Sequence, residues 1–180
     1  MELLNTSLPG VLLLQPKLFG DHRGFFMETF RKQVFEQAGI HDEFVQDNHS
    51  KSSRGILRGL HYQIKQPQGK LVRVVVGEVY DVAVDMRRSS PSFGLWVGVV
   101  LSAENKHALW VPPGFAHGFY VMSAEAEVTY KTTTYYAPEH ERSLLWNDPL
   151  LNISWPEKTN VVLSDKDNNA PRFAVAETFA

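Results

Sequence analysis

The run Gly69-Lys-Leu-Val-Arg-Val-Val-Val76 is the most β-prone stretch of the chain. β-branched residues dominate it, and successive side chains of a strand alternate between its two faces. Lys70 therefore shares a face with three valines, whereas Arg73 points to the other side. A lysine on an apolar face is costly unless it is paired or lines a polar cavity. The run predicts a buried strand with a polar site at its start.

Short strands are predicted on both sides of this run, with Gly, Pro and Asn between them. The predicted strands cover residues 11–14, 25–30, 44–48, 70–76, 79–85, 95–101, 108–111, 115–121, 126–134 and 161–163. One short helix is predicted over residues 31–38, ending at Gly39, and residues 50–55 are predicted to form a loop. Such a series is typical of an antiparallel sandwich or barrel. We expect a mainly β protein with a few short helices, folded as a single domain over residues 1–180.

The composition is that of an ordinary globular protein, with 43% hydrophobic and 21% charged residues. A formal net charge of -2 argues against a general nucleic-acid or membrane binder, because those partners usually require a basic face. The chain has no cysteine, which excludes disulfides, thiolate nucleophiles and cysteine-based metal sites. The start shows no signal-peptide pattern and no run is long enough to span a membrane. We therefore expect a cytoplasmic location.

Two further polar residues share predicted strand faces with apolar side chains. His117 alternates with Phe115 and Phe119, and Tyr130 alternates with Val128. Each of these residues, and Lys70 as well, has an ordinary structural explanation. His117 is compatible with a hydrogen-bonded core histidine, Tyr130 with amphipathic packing, and Lys70 with a side chain that extends to solvent. Together with Lys70, however, they predict a polar pocket inside the barrel.

The segment that leads into the central strand concentrates reactive groups. Arg58-Gly-Leu-His61-Tyr-Gln supplies a guanidinium and an imidazole a short distance before Lys70. Gly55, Gly59 and Gly69 let the backbone bend or approach a ligand closely. Arg58 alone is also compatible with a surface charge. As a set, these groups suit proton transfer next to a carbonyl: a histidine base, a tyrosine acid, and a cation for the enolate oxygen.

Other chemistries have less support. The sequence contains no Gly-x-Ser-x-Gly nucleophile motif and no glycine-rich phosphate loop. Metal catalysis is the main competitor, because barrels of this type can hold a metal through a His-x-His pair with a carboxylate and a further histidine. Tyr62 and Gln63 follow His61, so the pair is missing.

Several long motifs, in order along nearly the whole chain, closely resemble the dTDP-4-dehydrorhamnose 3,5-epimerase family. They are Phe19-Gly-Asp-His-Arg-Gly-Phe-Phe, Phe44-Val-Gln-Asp-Asn-His-Ser, Arg58-Gly-Leu-His-Tyr-Gln, Gly69-Lys-Leu-Val-Arg, Pro113-Gly-Phe-Ala-His-Gly-Phe and Leu145-Trp-Asn-Asp-Pro. The resemblance implies a cupin-type jelly roll, a homodimer, and no cofactor or metal. It also implies conversion of dTDP-4-dehydro-6-deoxy-D-glucose to dTDP-4-dehydro-L-rhamnose.

The resemblance also implies a set of site residues. His61 matches the family's catalytic base and Tyr130 its proton donor; Asp167 looks like the carboxylate that orients the histidine, with Asp165 as an alternative. Lys70 would stabilise the C4 enolate. The implied substrate-binding residues are Arg23, Glu28, Gln46, Asn48, Arg58, Lys70, His117 and Glu141.

Three alternatives remain at this level. Relatives that epimerise only one carbon are known, and the presence of Tyr130 favours the double reaction. A keto-isomerase of the same barrel type would share the dTDP site but move protons between C3 and C4 of a related dTDP-sugar. A non-catalytic sugar-nucleotide-binding module would need the arginines but not the His61–Tyr130 acid–base pair. Product identity separates these possibilities.

Overall fold

The computed structural model describes residues 1–180 and contains thirteen strands, all paired antiparallel in their sheets. The strands are β1 (Glu2–Asn5), β2 (Leu12–Gln15), β3 (Leu18–Asp21), β4 (Gly24–Met27), β5 (Gln46–Ser53), β6 (Leu57–Gln63), β7 (Lys70–Val76), β8 (Glu78–Asp85), β9 (Trp96–Ser102), β10 (Ala108–Val111), β11 (Phe115–Val121), β12 (Glu125–Thr132) and β13 (Glu141–Ser143). The helices are short: α1 (Lys32–Gln37), α2 (Asp165–Asn168), and two 3₁₀ turns at Pro138–His140 and Phe173–Val175.

The strands form two facing sheets and one separate hairpin. The larger sheet has the order β1-β2-β10-β7-β12-β5, the smaller has the order β13-β6-β11-β8-β9, and β3 pairs only with β4. This confirms the predicted mainly β jelly roll of the cupin type, with a few short helices. The reactive strands β6 and β11 lie in one sheet, and β7 and β12 lie in the other.

Alternation of side chains divides the core into layers. Valines of β7, β8 and β12 meet Phe115 and Phe119 of β11 between the two sheets. The opposite face of β11, with Ala116 and Tyr120, packs instead on Trp146 and the C-terminal segment. Since β11 is buried on both faces, its sequence is apolar nearly throughout, and His117 lies on the inner face as predicted.

The outer face of the larger sheet is covered by helix α1 and an aromatic cluster. Phe35 of α1 is buried there and packs edge-on against Phe44 and Trp110. The predicted helix is confirmed within one residue at each end. Gly39 follows it with φ +81°, the left-handed conformation that favours glycine after a helix.

Three predictions of local structure were wrong, and strands β1, β3, β6 and β13 were not predicted. The loop predicted over residues 50–55 is strand as far as Ser53, because β12 pairs with β5 along its whole length. Strand β6 was not predicted, since its glycine and polar residues carry little β propensity. The predicted strand over residues 161–163 is only one bridge between Val162 and Ile56. The predicted strand over residues 25–30 ends at Met27.

Gly59 and Gly69, two of the three glycines expected to bend the backbone or approach a ligand, lie close to other protein atoms. A Cβ added to Gly59, whose φ is +122°, would lie 2.6 Å from the Cα of Gly118. A Cβ added to Gly69 would lie 2.4 Å from the ring of Trp110. These glycines therefore set the spacing between β6 and β11 and the packing of the aromatic cluster.

Candidate functional site

Two adjoining cavities, of about 300 Å³ and 620 Å³, open between the two sheets. His61, Lys70 and Tyr130 line both, so these three side chains stand where the cavities meet. The smaller cavity is lined mainly by polar residues, and the larger has apolar side chains on part of its wall. The predicted polar pocket inside the barrel is therefore present, and the predicted acid, base and cation converge on it.

His61 is paired with a buried carboxylate from the C-terminal part of the chain. Its Nε2 lies 2.5 Å from Oδ1 of Asp167, whose side chain is 4% exposed. Helix α2 carries Asp167 and is capped by Ser164, whose hydroxyl accepts the Asp167 backbone N–H at 3.2 Å. Asp165, the alternative partner, is exposed.

The electrostatics of Asp167 favour an ionised partner for the histidine. Burial raises its pKa, but the hydrogen bond and charge of His61, with a long hydrogen bond from the Gly59 backbone N–H, hold the pKa below its ordinary value. A carboxylate on one imidazole nitrogen orients the ring and increases the basicity of the other nitrogen. The pair therefore has the arrangement of an oriented general base.

Lys70 begins β7 and is buried rather than extended to solvent, with 9% of the residue exposed. Its Nζ lies 3.5 Å from the backbone carbonyl oxygen of His61. Burial lowers the pKa of Lys70 to about 8, and the charges of Asp81 and Glu141 oppose this fall. A cation that is weakly paired in a cavity can stabilise negative charge on a bound ligand.

Tyr130 approaches the cavities from β12, the strand that pairs with β7. Burial raises the pKa of its phenol, with Glu141 acting in the same direction and Arg58 opposing. A phenol that keeps its proton at neutral pH can act as an acid. Because Tyr130 and His61 belong to different sheets, they can address a ligand between them from two sides.

Arg58 and His117 both line the larger cavity. In a regular strand Arg58 and His61, three positions apart, would face opposite sides. Strand β6, however, contains a β-bulge. His61 pairs with His117 of β11 and Arg58 pairs with Phe119, so three residues of β6 span the same length as two residues of β11. The extra residue brings Arg58 to the same side as His61. The guanidinium donates from Nε to the Ser52 hydroxyl at 2.9 Å.

Gln46, Asn48 and Glu141 line the smaller cavity. The amide of Gln46 donates to Asn48 Oδ1 at 2.9 Å. Glu141 accepts a hydrogen bond from the Tyr136 hydroxyl at 3.0 Å and pairs with Lys166 at 2.9 Å. Sequence reasoning missed Tyr136 and Lys166 as cavity residues.

Sequence reasoning also missed Ser50 and Asp81. Each of them carries a buried side-chain oxygen atom without a hydrogen-bond partner. Ser50 lines the larger cavity and Asp81 pairs with His117. The sequence offered no signal for Ser50, because every residue from Gln46 to Ser53 is polar and no alternation of polar and apolar side chains marks an inner face.

Arg23 and Glu28 do not reach either cavity of their own chain. Arg23 lies at the turn of the β3–β4 hairpin, 78% exposed in its side chain and paired with Asp21. Glu28 follows β4 and pairs with Arg31 at 2.6 Å. The structure thus places these two predicted substrate-binding residues apart from the other site residues.

No group of three or more His, Cys, Asp and Glu side chains lies close enough to bind a metal ion together. None of the helices has the length and hydropathy of a membrane-spanning segment.

Comparison with known proteins agrees with the fold. The family model described as dTDP-4-dehydrorhamnose 3,5-epimerase matches residues 5–175. The dTDP-4-dehydrorhamnose 3,5-epimerase of Shigella flexneri is 60% identical over 181 residues, covering 99% of each chain. The dTDP-4-dehydro-6-deoxyglucose 3-epimerase of Streptomyces bikiniensis is 40% identical over 173 residues, covering 95% of this chain and 88% of the relative.

Among solved structures, the dTDP-6-deoxy-D-glucose-3,5-epimerase of Legionella pneumophila, in complex with dTDP-4-keto-L-rhamnose, is 53% identical. The two structures superpose with a TM-score of 0.95, covering 98% of this chain and 94% of the other. Both the family model and these relatives extend over nearly the whole chain. The chain therefore belongs to the dTDP-4-dehydrorhamnose 3,5-epimerase family.

Proposed function

We propose that this protein epimerises dTDP-4-dehydro-6-deoxy-D-glucose at C3 and C5 and releases dTDP-4-dehydro-L-rhamnose, in dTDP-L-rhamnose synthesis. The observation that carries the proposal is the convergence of the His61–Asp167 pair, Tyr130 and Lys70 on one cavity between the sheets. A base, an acid and a cation are the groups that proton transfer next to a ketone requires. Greater identity to the 3,5-epimerase of Shigella flexneri than to the 3-epimerase favours reaction at both carbons.

In the proposed mechanism, His61 removes the proton from the carbon next to the C4 ketone. Asp167 holds the imidazole and stabilises the imidazolium that forms. Lys70 stabilises the negative charge that develops on the C4 oxygen. Tyr130 then donates a proton to the opposite face of the sugar, which inverts the carbon. His61 releases its extra proton to solvent and Tyr130 takes one up, which resets both groups, so that the sequence takes place once at C5 and once at C3.

The remaining cavity residues hold the nucleotide and the sugar. Arg58 suits a phosphate oxygen because a guanidinium donates two parallel hydrogen bonds. Gln46, Asn48 and Glu141 supply the polar wall of the smaller cavity, and the half-exposed ring of Tyr136 at that cavity offers a stacking surface for a base. His117 contacts the sugar in the larger cavity.

The direct test is NMR of the purified protein with dTDP-4-dehydro-6-deoxy-D-glucose in D₂O, with and without a chelator. We expect deuterium at both C3 and C5, unaffected by chelation, and a rhamno product that a reductase can trap. Exchange at one carbon only would identify a mono-epimerase, and a C3-keto product would identify a keto-isomerase. Binding of dTDP without exchange would identify a non-catalytic binding module.

The pH dependence of the reaction is expected to report Lys70. Because its pKa is about 8, the ammonium is charged below that pH and loses its proton above it. The value of kcat/KM should therefore fall as pH rises through about 8, by about tenfold for each further unit. Arginine stays charged throughout this range. The kcat/KM of Lys70→Arg should thus show no decline near pH 8, whatever the level of its activity. If the decline is unchanged in this variant, it reports the titration of a group other than Lys70.

We further propose that the protein forms a homodimer, in the cytoplasm, and that each 1–180 chain is one domain. The β3–β4 hairpin pairs with no other strand, and it exposes Phe25 and Phe26 by 57% and 70%. Exposed aromatic clusters of this kind mark contact surfaces. A second copy that accepts the hairpin would bring Arg23 and Glu28 to a cavity that they do not reach in their own chain.

Co-expression of two inactive variants tests this arrangement. In a mixed dimer of Arg23→Ala and His61→Asn chains, one cavity would combine an intact His61 with an intact Arg23 from the other chain. We expect that the mixture recovers activity that neither variant has alone, and that sedimentation equilibrium gives twice the 20.4 kDa chain mass. No recovery from a verified mixed dimer would show that Arg23 does not act across the interface.

A further inference from the structure

Asp81 is a buried carboxylate on the inner face of β8. The residue is 0% exposed, and its Oδ1 lies 2.8 Å from Nε2 of His117. Its second oxygen, Oδ2, is also buried and has no hydrogen-bond partner in the protein. A buried charged oxygen without a partner destabilises the fold. Such an arrangement therefore needs a reason other than stability.

The other two fully buried aspartates differ from Asp81. Asp85 accepts hydrogen bonds from Arg87, Ser90 and Ser92 on its two oxygens. Asp148 accepts backbone N–H groups on both of its oxygens and ties together the segment that carries Trp146. Both are satisfied as structural carboxylates usually are. Asp81 is the only one of the three whose carboxylate is half unpaired.

The position of Asp81 in the sheet connects it to the reactive residues. Strands β6, β11 and β8 are neighbours, and they present His61, His117 and Asp81 on the inner face in that order. Lys70 enters the same interior from the facing sheet. The negative charge of Asp81 favours the ammonium form of Lys70 against the cost of burial. Asp81 therefore influences two site residues at once.

Other groups also act on Lys70 and have to be separated from Asp81. Glu141 on β13 favours the ammonium, and Lys166 on α2 opposes it. These two residues pair with each other at 2.9 Å, so their charges largely compensate. The larger cavity is also lined by the titratable or charged residues Arg58 and His61 on β6, His117 on β11, Tyr130 on β12 and Asp167 on α2. Among the charges that favour the ammonium form of Lys70, that of Asp81 has the largest effect.

We propose that Asp81 is a positioning residue of the epimerase site: it fixes the His117 ring through Nε2 and keeps the Lys70 ammonium charged. The inference rests on the proposed function. Removal of the carboxylate charge would take away the largest of the charges that favour the Lys70 ammonium, so its proton would be lost at lower pH. The His117 ring would also lose the acceptor that selects its tautomer.

The test compares the pH profiles of Asp81→Asn, Asp81→Glu and the wild type. In Asp81→Asn we expect the alkaline decline of kcat/KM to move down by about one pH unit, which is about a tenfold loss above pH 8 and a smaller loss near pH 6.5. Asp81→Glu keeps the charge and should keep the wild-type midpoint. Asp148→Asn is the matched control, because it neutralises a buried aspartate that hydrogen-bonds no cavity residue, and its midpoint should not move.

If folded Asp81→Asn shows the wild-type midpoint of the alkaline decline in kcat/KM, the inference is overturned. An equal loss of kcat/KM at every pH would also overturn it. If Asp81→Asn does not fold, ¹⁵N NMR of the wild-type histidines decides the matter. His117 with its proton on Nε2 is the expected result, and a proton on Nδ1 alone would overturn it. A wild type with no epimerase activity would instead contradict the proposed function, so the two failures are distinguishable.

Discussion

Asparagine in place of His61 is expected to reduce kcat by a factor on the order of 10²–10⁴, the usual contribution of a general base. The amide preserves a polar side chain that Asp167 can hold, but it cannot accept the proton from the carbon next to the ketone. Deuterium incorporation at C3 and C5 should therefore decline together with turnover, while dTDP binding persists. Fluorescence or calorimetric titration with dTDP and NMR exchange in D₂O measure the two properties.

The matched control for this variant is His41→Asn. His41 is exposed in the loop after α1 and lines neither cavity, so its replacement should leave exchange, turnover and dTDP affinity at wild-type values. Wild-type turnover by His61→Asn would contradict the assignment of His61 as the base. Loss of dTDP binding in parallel with turnover would show that the residue serves the nucleotide site instead.

Tyr130→Phe is expected to separate proton exchange from inversion. The variant keeps the aromatic ring between the sheets but removes the hydroxyl that donates to the opposite face of the sugar. His61 can still remove a proton and return a deuteron to the same face, so exchange with retention should continue. Trapped rhamno product should fall by at least about 10²-fold. Exchange is followed by NMR, and product formation by coupling to the reductase.

Tyr135→Phe is the appropriate control, because Tyr135 is 66% exposed and lines neither cavity. It should retain both exchange and product formation. If exchange and inversion decline in the same proportion in Tyr130→Phe, the phenol does not act as a separate acid on the second face. A one-base mechanism, or a different proton donor in the cavity, would then replace the proposal.

The alternation of side chains was sufficient to identify the inner residues of the strands. A strand has a period of two, so Lys70, His117 and Tyr130 could be assigned to apolar faces from the sequence, and all three lie between the sheets. The resemblance to the epimerase family, carried by long motifs, is confirmed over residues 5–175. The face of a residue on its strand depends only on its neighbours along the chain, and the family depends on residues that match its motifs.

Strands β5 and β6 show where local patterns were insufficient. Ser50, Ser52, Arg58 and Gly59 have weak β propensity, and these strands form because β12 and β11 provide hydrogen-bonding partners from distant parts of the sequence. The bulge that brings Arg58 and His61 to one side also depends on the approach of Gly59 to Gly118. Pairing between strands therefore overrode the preferences of the individual residues.

The sequence by itself determined the mainly β architecture, the inner and outer faces of the strands and the family. Only the tertiary structure decided which carboxylate pairs with each histidine: Asp167 with His61, 106 positions away, and Asp81 with His117, 36 positions away. It also separated Arg23 and Glu28 from the cavity. Periodicity determines the direction of a side chain on its own strand, but the distance between two side chains depends on how remote strands pair and how the sheets pack.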